Sequence, residues 1–235
     1  MSIKTVLFDL DGTLLPMELD KFIKKYLTLI TTRLAKSGYD PRRLASVIMN
    51  GTEKMITNDG ALSNEEVFWR TFESVYGEGT RADESKFYDF YVEEYDLIRD
   101  MCTYTPRANE CVKKIKESGR DLVLATNPLF PRIATEKRMA WAGLDKDDFI
   151  LYTTYENSSF CKPNIKYYEE ILSKIGTTPE ECLMVGNDVL EDMVAEKLGM
   201  RVFLLTDCLI NRTNEDISKY PSGSFDELMA YIENN

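Results

Sequence analysis

The chain contains no histidine in 235 residues. That absence removes every mechanism needing an imidazole base, Ser-His-Asp and Cys-His catalysis included, and the histidine zinc motifs with them. Acid–base chemistry is left to carboxylates, lysine, tyrosine or cysteine. Cysteine is sparse and dispersed: Cys102, Cys111, Cys161, Cys182 and Cys208 form no Cys-x-x-Cys pair. An odd, scattered set builds neither a disulfide framework nor a thiolate zinc site, and it fits a reducing compartment. No apolar run approaches the length of a membrane span, and Met1 to Leu10 lacks the layout of a secretory signal, so the expected location is the cytoplasm. Positive charge is in deficit. With 40 acidic against 29 basic side chains the net charge is −11. Such a surface repels nucleic acid and anionic membrane, so neither is an expected partner.

What is present is enough apolar material, 43% of residues, for a proper core. The length suits one large domain or a core plus a smaller one. The organising stretch is Val6-Leu7-Phe8-Asp9-Leu10-Asp11-Gly12-Thr13. Ile3 to Phe8 has the length and composition of a strand buried on both faces. Residues i and i+2 of a strand point to one side, which puts Asp9 and Asp11 toward one pocket at its carboxyl end. Gly12 permits a turn or close approach to a ligand. Two carboxylates held that close repel, and call for a cation or a shared proton.

From Thr13 the pattern becomes helical. Leu19, Phe22, Ile23, Tyr26, Leu29 and Ile30 recur at helical spacing. Asp40-Pro41 is a cap and first-turn pair for a second helix carrying Leu44, Val47 and Ile48. Ser63 to Glu66 reads as a capping box before Phe68, Trp69, Phe72, Val75 and Tyr76. A further helix is predicted from about Asp83 to Ile98. Residues 16–99 therefore read as all-helical, with aromatic side chains that mostly pack the helices together. Arg33, Arg42, Arg43 and Lys54 suit an anion or solvated helix faces equally.

From Thr105 strands and helices alternate. Strands are predicted at Asp121–Ala125, Phe149–Thr153, Cys182–Val185 and Arg201–Leu205. Helices are predicted after Thr105-Pro106, after Pro131, over Ile165–Ile175, from the loop after Asp188 to Leu198, and over Ser224–Glu233, where Ser224 and Glu227 make a second capping box. The fold class is α/β: a parallel, Rossmann-like sheet with right-handed crossovers, formed by residues 1–15 and 100–235, with the helical segment 16–99 inserted.

In an open α/β sheet, ligands bind outside the carboxyl ends of the strands. Asp9 with Asp11, Thr126, Lys162, and Asp188 with Asp192 fall at such ends or in the following loops. These types make a chemically complete set for phosphoryl transfer. A carboxylate attacks phosphorus. A second protonates the leaving oxygen and later deprotonates water. A divalent cation, a lysine and hydroxyl or amide donors hold the phosphoryl oxygens.

With these motifs in this order, the chain resembles the haloacid dehalogenase superfamily of aspartyl-phosphate hydrolases. Asp9-Leu10-Asp11-Gly12-Thr13 matches its first motif, Thr126 the second, Lys162-Pro163 the third, and Gly186-Asn187-Asp188 through Asp192 the fourth. The helical insertion resembles the cap of the phosphoglycolate-phosphatase-like subgroup. The resemblance implies Asp9 as nucleophile and Mg²⁺ ligand, and Asp11 as general acid/base with its main-chain carbonyl on the metal. It implies Thr126 and the Asn127 amide on the phosphoryl oxygens, with Lys162 offsetting the charges of Asp9 and the phosphate. Asp188 is implied as a direct metal ligand, with Asp192 acting through water or orienting Lys162. Glu191 competes for the place of Asp192; it is read instead as a first-turn helix carboxylate. Asn187 is an alternative contact to the metal's water shell. The implied activity is Mg²⁺-dependent hydrolysis of a small phosphorylated metabolite. A phosphomutase on the same scaffold is the alternative within this chemistry. A phospho-acceptor signalling module is the alternative outside it, although its acidic pair precedes its acceptor. A dehalogenase is disfavoured because Asp11 is present. The sequence leaves substrate and oligomeric state open.

Overall fold

The computed structural model describes residues 2–235; Met1, assigned above to the core segment, lies outside the described residues. Among the described residues the short apolar runs form six strands: β1 (Thr5–Phe8), β2 (Asp121–Leu124), β3 (Leu151–Tyr152), β4 (Cys182–Gly186), β5 (Arg201–Leu205) and β6 (Ser222–Gly223). They make one parallel sheet in the order β3-β2-β1-β4-β5-β6. Alternation along each strand sorts the side chains onto two faces. Val6 and Phe8 join Leu122, Leu124, Leu183 and Val185 in one apolar cluster. Leu7 joins Val123, Cys182 and Met184 in the other. Helices α5 (Pro106–Glu117) and α8 (Phe225–Glu233) cover the first face through residues such as Val112, Ile115, Leu228 and Ile232. Helix α7 (Ile165–Ile175) covers the second through Tyr167, Tyr168, Ile171 and Leu172. This is the layered α/β architecture expected from the alternating pattern.

Register is what positions the site. Phe8 lies opposite Leu124 on one side and Val185 on the other, so β1, β2 and β4 end level. The segments leaving them carry Asp9, Thr126 and Asn187-Asp188 to the same edge. The β6 strand was not predicted: two residues, Ser222 and Gly223, offer no apolar run to read.

The helical segment contains α1 (Leu19–Ala35), α2 (Pro41–Ile56), α3 (Asn64–Tyr76) and α4 (Glu84–Glu93). The Asp40 carboxylate accepts from the Arg43 N–H at 2.8 Å, with Pro41 in the first turn. The Ser63 hydroxyl accepts from the Glu66 N–H at 3.2 Å. The predicted helix over 83–98 ends instead at Glu93, and a tighter 3₁₀ turn over Tyr95–Met101 follows. That turn buries Tyr95, stacked on Trp141 of α6 (Arg132–Trp141) with ring centroids 5.2 Å apart, and Ile98. The four helices share one apolar cluster with the sheet face, because Phe22 and Tyr26 also pack edge-on against Phe130 of the loop after β2.

Several contacts join the segment to the rest of the chain, among them Lys137 Nζ and Trp141 Nε1 of α6 on the Asp96 carboxylate at 2.6 and 2.9 Å. The chain enters and leaves side by side: Met17 bridges Cys102, and the Thr103 N–H donates to the Pro16 carbonyl at 2.8 Å. Separately, fully buried Asn64 is bound to the loops after β2 and β3. Its N–H donates to the Ser158 carbonyl at 2.8 Å, and its amide Nδ2 to the Pro128 carbonyl and Cys161 Sγ, each at 3.3 Å. The Glu65 N–H donates to the Tyr155 carbonyl at 2.9 Å, and Asn58 Nδ2 holds Asn64 Oδ1 at 2.9 Å.

The predicted helix from the loop after Asp188 to Leu198 is a correction. The chain forms a turn first and a 3₁₀ helix only over Met193–Leu198. The Asp188 carboxylate captures the N–H groups of Leu190 and Glu191, which ties the backbone into an Asx-type turn rather than an α-helical start. Among the described residues, no helix is long and apolar enough to cross a membrane.

Candidate active site

The site is built outward from Asp9, one residue past β1. Its carboxylate accepts from Lys162 Nζ at 2.9 Å through Oδ1, and lies 3.1 Å from the Thr13 hydroxyl through Oδ2. Thr13 sits between Asp9 and Asn187 Oδ1, the latter 3.0 Å away. Gly12, at φ +87°, is required for this approach: a Cβ there would come within 2.5 Å of Asn187 Nδ2. β1 stops at Phe8, so Asp9 and Asp11 lie past the strand, on either side of Leu10 where the turn begins, and both line one cavity.

Asp11 is turned toward Arg138, whose guanidinium donates to Asp11 Oδ2, while Asp11 Oδ1 is buried without a hydrogen-bond partner. Burial pushes the Asp11 carboxyl up to about 6; the Arg138 charge pulls against that, and the Asp9 charge adds to it. Arg138 is itself 1% exposed and stacked over the Phe130 ring. The sequence reading missed it. Its one signal was a charge at spacing i+4 from Ala134 and i−3 from Trp141, on the apolar face of α6.

Lys162 has no exposed side-chain surface and bridges Asp9 and Asp192, the latter at 2.6 Å. Burial acts to lower its pKa, but the Asp192 and Asp9 carboxylates outweigh that and hold the ammonium well above its ordinary value. It sits behind Asp9 and is not among the residues lining the cavity. Asp192 in turn accepts from the Asp188 N–H at 3.0 Å. Gly186 makes room for it: a Cβ there would lie 2.1 Å from the Asp192 carboxylate.

Asp188 is 6% exposed and ion-paired through Oδ2 with Arg212 from the loop after β5, a partner the sequence did not suggest. Glu191, read from sequence as a helix-end carboxylate, has no α-helix beneath it and instead accepts from Asn127 Nδ2 at 3.1 Å. Burial raises its pKa. Asn127 Oδ1 is left buried and unpartnered. The Thr126 carbonyl is clamped by the hydroxyls of Tyr167 at 2.9 Å and Thr153 at 2.6 Å, which fixes the backbone carrying its side chain.

A cavity of about 270 Å³ opens over this edge. Asp9, Asp11, Thr126, Asn127, Asp188 and Glu191 line one end; side chains of α1 to α4 line much of the rest, with Phe130, Tyr155 and Arg212 from loops after the strands. Tyr26, Phe68, Trp69, Phe87 and Tyr91 both line it and pack on one another. Of the basic residues considered for anion binding, Arg33 pairs with Glu93 and Glu94 and Arg43 lies over Tyr76; neither they nor Arg42 and Lys54 line the cavity.

Among the described residues no three Asp, Glu or Cys side chains gather as a metal cluster. The implied ligand set asks for less: two carboxylates, Asp9 and Asp188, and the Asp11 main-chain carbonyl. Both carboxylates face the same cavity, the Asp11 carboxylate is directed away to Arg138, and the donors are all oxygen. That donor chemistry suits a hard divalent cation such as Mg²⁺.

A family model described as haloacid dehalogenase-like hydrolase matches residues 3–198. The glyceraldehyde 3-phosphate phosphatase of Methanothermobacter thermautotrophicus is 36% identical over 67 residues, which is 28% of this chain and 30% of that protein. The chain thus matches under a third of that relative's length. The solved 2-haloacid dehalogenase of Pseudomonas syringae superposes with a TM-score of 0.65 at 17% identity, over 99% of both chains. A predicted phosphoglycolate phosphatase of Haemophilus somnus superposes with a TM-score of 0.59 at 18% identity, over 98% of both. At such identities the superpositions speak for the fold.

Proposed function

Since the chain belongs to the haloacid dehalogenase-like hydrolases, we propose that it hydrolyses a small phosphate monoester through an aspartyl-phosphate on Asp9. One observation carries the reading: a carboxylate, Asp9, faces the cavity with a buried ammonium behind it, and a second carboxyl, Asp11, is raised into the range of a neutral-pH acid beside it. A nucleophile and a separate proton donor are what phosphoester cleavage needs, whereas carbon–halogen cleavage has no alkoxide to protonate.

In the first step an Asp9 oxygen attacks phosphorus, the ester P–O bond breaks, and the proton of Asp11 passes to the leaving oxygen. In the second, Asp11 removes a proton from water, the water oxygen attacks phosphorus, and the Asp9–phosphorus bond breaks to release inorganic phosphate. Lys162 offsets the charge of Asp9 throughout. Thr126 and the Asn127 N–H hold phosphoryl oxygens. Asp192 positions Lys162, and Arg138 positions the Asp11 carboxyl. Asp9, Asp188 and the Asp11 carbonyl would hold Mg²⁺, which when bound supplies positive charge to the phosphoryl oxygens. We further assign residues 16–99 as a helical cap that excludes water from this chemistry.

The phosphatase named among the relatives acts, by its name, on a triose phosphate; its example supports the reaction class here. The test is acid-quench mass spectrometry during turnover of acetyl phosphate with Mg²⁺. A phosphoryl adduct on the peptide containing Asp9, absent after EDTA treatment, is the expected result. Steady turnover with an adduct on another residue overturns the assignment.

A further inference from the structure

This inference rests on the phosphomonoesterase reading of the site and concerns the other half of the ester. We infer that the alcohol released is apolar, an aryl-alkyl or branched-alkyl group, and not a sugar, a polyol or a carboxylate-bearing alcohol. Away from the strand ends, most of the cavity wall is apolar, with Ile23 and Leu27 of α1, Ile48 of α2, Trp69 of α3, Phe87 of α4, and Phe130; the hydroxyls on it are those of Tyr26, Thr52, Tyr91 and Tyr155. This is a surface for hydrocarbon. Three of the four hydroxyls are already engaged: Tyr26 and Tyr91 bond each other at 2.8 Å, and Thr52 donates to the Ile48 carbonyl at 3.0 Å. The Trp69 indole N–H is the one donor of the wall that is buried without a hydrogen-bond partner among the described residues.

A sugar or polyol entering here would strip several hydroxyls of water and find only the Trp69 N–H and the Tyr155 hydroxyl to replace it, and each hydroxyl left buried and unpaired is costly. A carboxylate or second phosphate would meet the same obstacle. Among the described residues the cavity lining holds no lysine, and its one arginine, Arg212, is ion-paired with Asp188 at the reactive end. Size adds a limit. The cavity, about 270 Å³, falls below the ~300 Å³ at which pockets for drug-sized ligands begin. It accommodates a phosphoryl group and one ring or short branched chain.

Benzyl phosphate and glycerol 1-phosphate both release a primary alkoxide, so their leaving groups make similar demands on Asp11 and differ chiefly in the group presented to the wall. The measurement is kcat/KM for both esters, with acetyl phosphate as a donor that carries no group for the wall. Benzyl phosphate is expected to lead glycerol 1-phosphate by about a hundredfold or more. Leu27→Asn, which puts an amide on a half-buried part of the wall, is expected to shrink that ratio about tenfold, mainly through the KM of benzyl phosphate. If acetyl phosphate is hydrolysed but benzyl phosphate is no better than glycerol 1-phosphate, or if Leu27→Asn leaves the ratio unchanged, the apolar assignment is overturned and the phosphatase reading stands. If none of the three compounds is hydrolysed, the phosphatase reading falls and takes this inference with it.

Discussion

The strand-end site and the helical segment above it are assembled by different physics. At the strand ends the charged groups are held by specific partners, Lys162 by Asp9 and Asp192, Asp188 by two N–H groups and Arg212, and the Thr126 carbonyl by two hydroxyls, while Asp11 Oδ1 and Asn127 Oδ1 stay buried and unpartnered. Moving one atom there leaves a charge or a donor stranded. The helical segment is held by rings. Phe68, Trp69, Phe72 and Phe87 pack edge to face with centroids 5.3–5.4 Å apart, and Phe68 stacks on Phe72 at 6.2 Å, contacts that tolerate exchange of one apolar shape for another. The first region therefore fixes chemistry and tolerates few residue types. The second fixes volume and tolerates many.

Substitutions should separate the two regions. The largest effect is expected at Asp9→Asn. The amide keeps the shape and loses the nucleophile, so turnover should fall by at least about a thousandfold, with native circular dichroism. Substantial activity in pure protein would break the contrast at its strongest point. Phe72→Ala should do the converse. Phe72 is fully buried and lies off the cavity wall. Its loss should lower unfolding free energy by about 3–5 kcal/mol, measured by denaturant titration, with kcat per folded molecule near wild type. A collapse of kcat without loss of stability would mean that the helices shape the chemistry directly.

A smaller and sharper effect is the pH limb of Asp11. Its carboxyl is raised from 3.8 to about 6, so the proton is held below that value and lost above it. An acid that must be protonated then makes kcat/KM for alkyl esters fall about tenfold per pH unit above pH 6. Aryl esters, which need little protonation, should fall less, and Asp11→Asn should abolish the difference. Identical profiles for both ester types in wild type would remove Asp11 from the role. The smallest effect is at Ser63→Ala, which removes the cap of α3 at the cost of about 1 kcal/mol in a thermal or denaturant melt, with the kinetics unchanged.

The same contrast explains what could be read in advance. Strand runs ending in acids are local in sequence, so β1, β2, β4 and β5, and the cluster Asp9, Asp11, Thr126, Asn127, Lys162, Asp188 and Asp192, could be found by eye. The Ser224–Glu227 box was equally legible, and its carboxylate does accept from the Ser224 N–H at 2.6 Å. What escaped depends on partners distant in the chain. Arg138 meets Asp11 across 127 residues, and Arg212 is an ordinary loop arginine until the bridge from Asp188 to Ile210 brings its loop over the site. The turn at Asp188 was hidden for another reason: the stretch to Leu198 was read as a helix, and a side-chain oxygen competing for backbone N–H groups does not show in such a reading.

The buried Asn64 has a mechanical consequence. A plate joined to its base at two adjacent crossings swings about one axis, as a door does. Here the helices are pinned again, where Asn64 and Glu65 grip the loop after β2 and the loop between Thr153 and Lys162, and where Lys137 and Trp141 of α6 hold Asp96. Swinging the whole plate would strand several buried donors at once. By contrast, α1 rests on the Phe130 ring through Phe22 and Tyr26, and rings slide without unpairing anything. The seam at Asn64 is therefore riveted by directional bonds, whereas the α1 edge rests on Phe130 by shape alone.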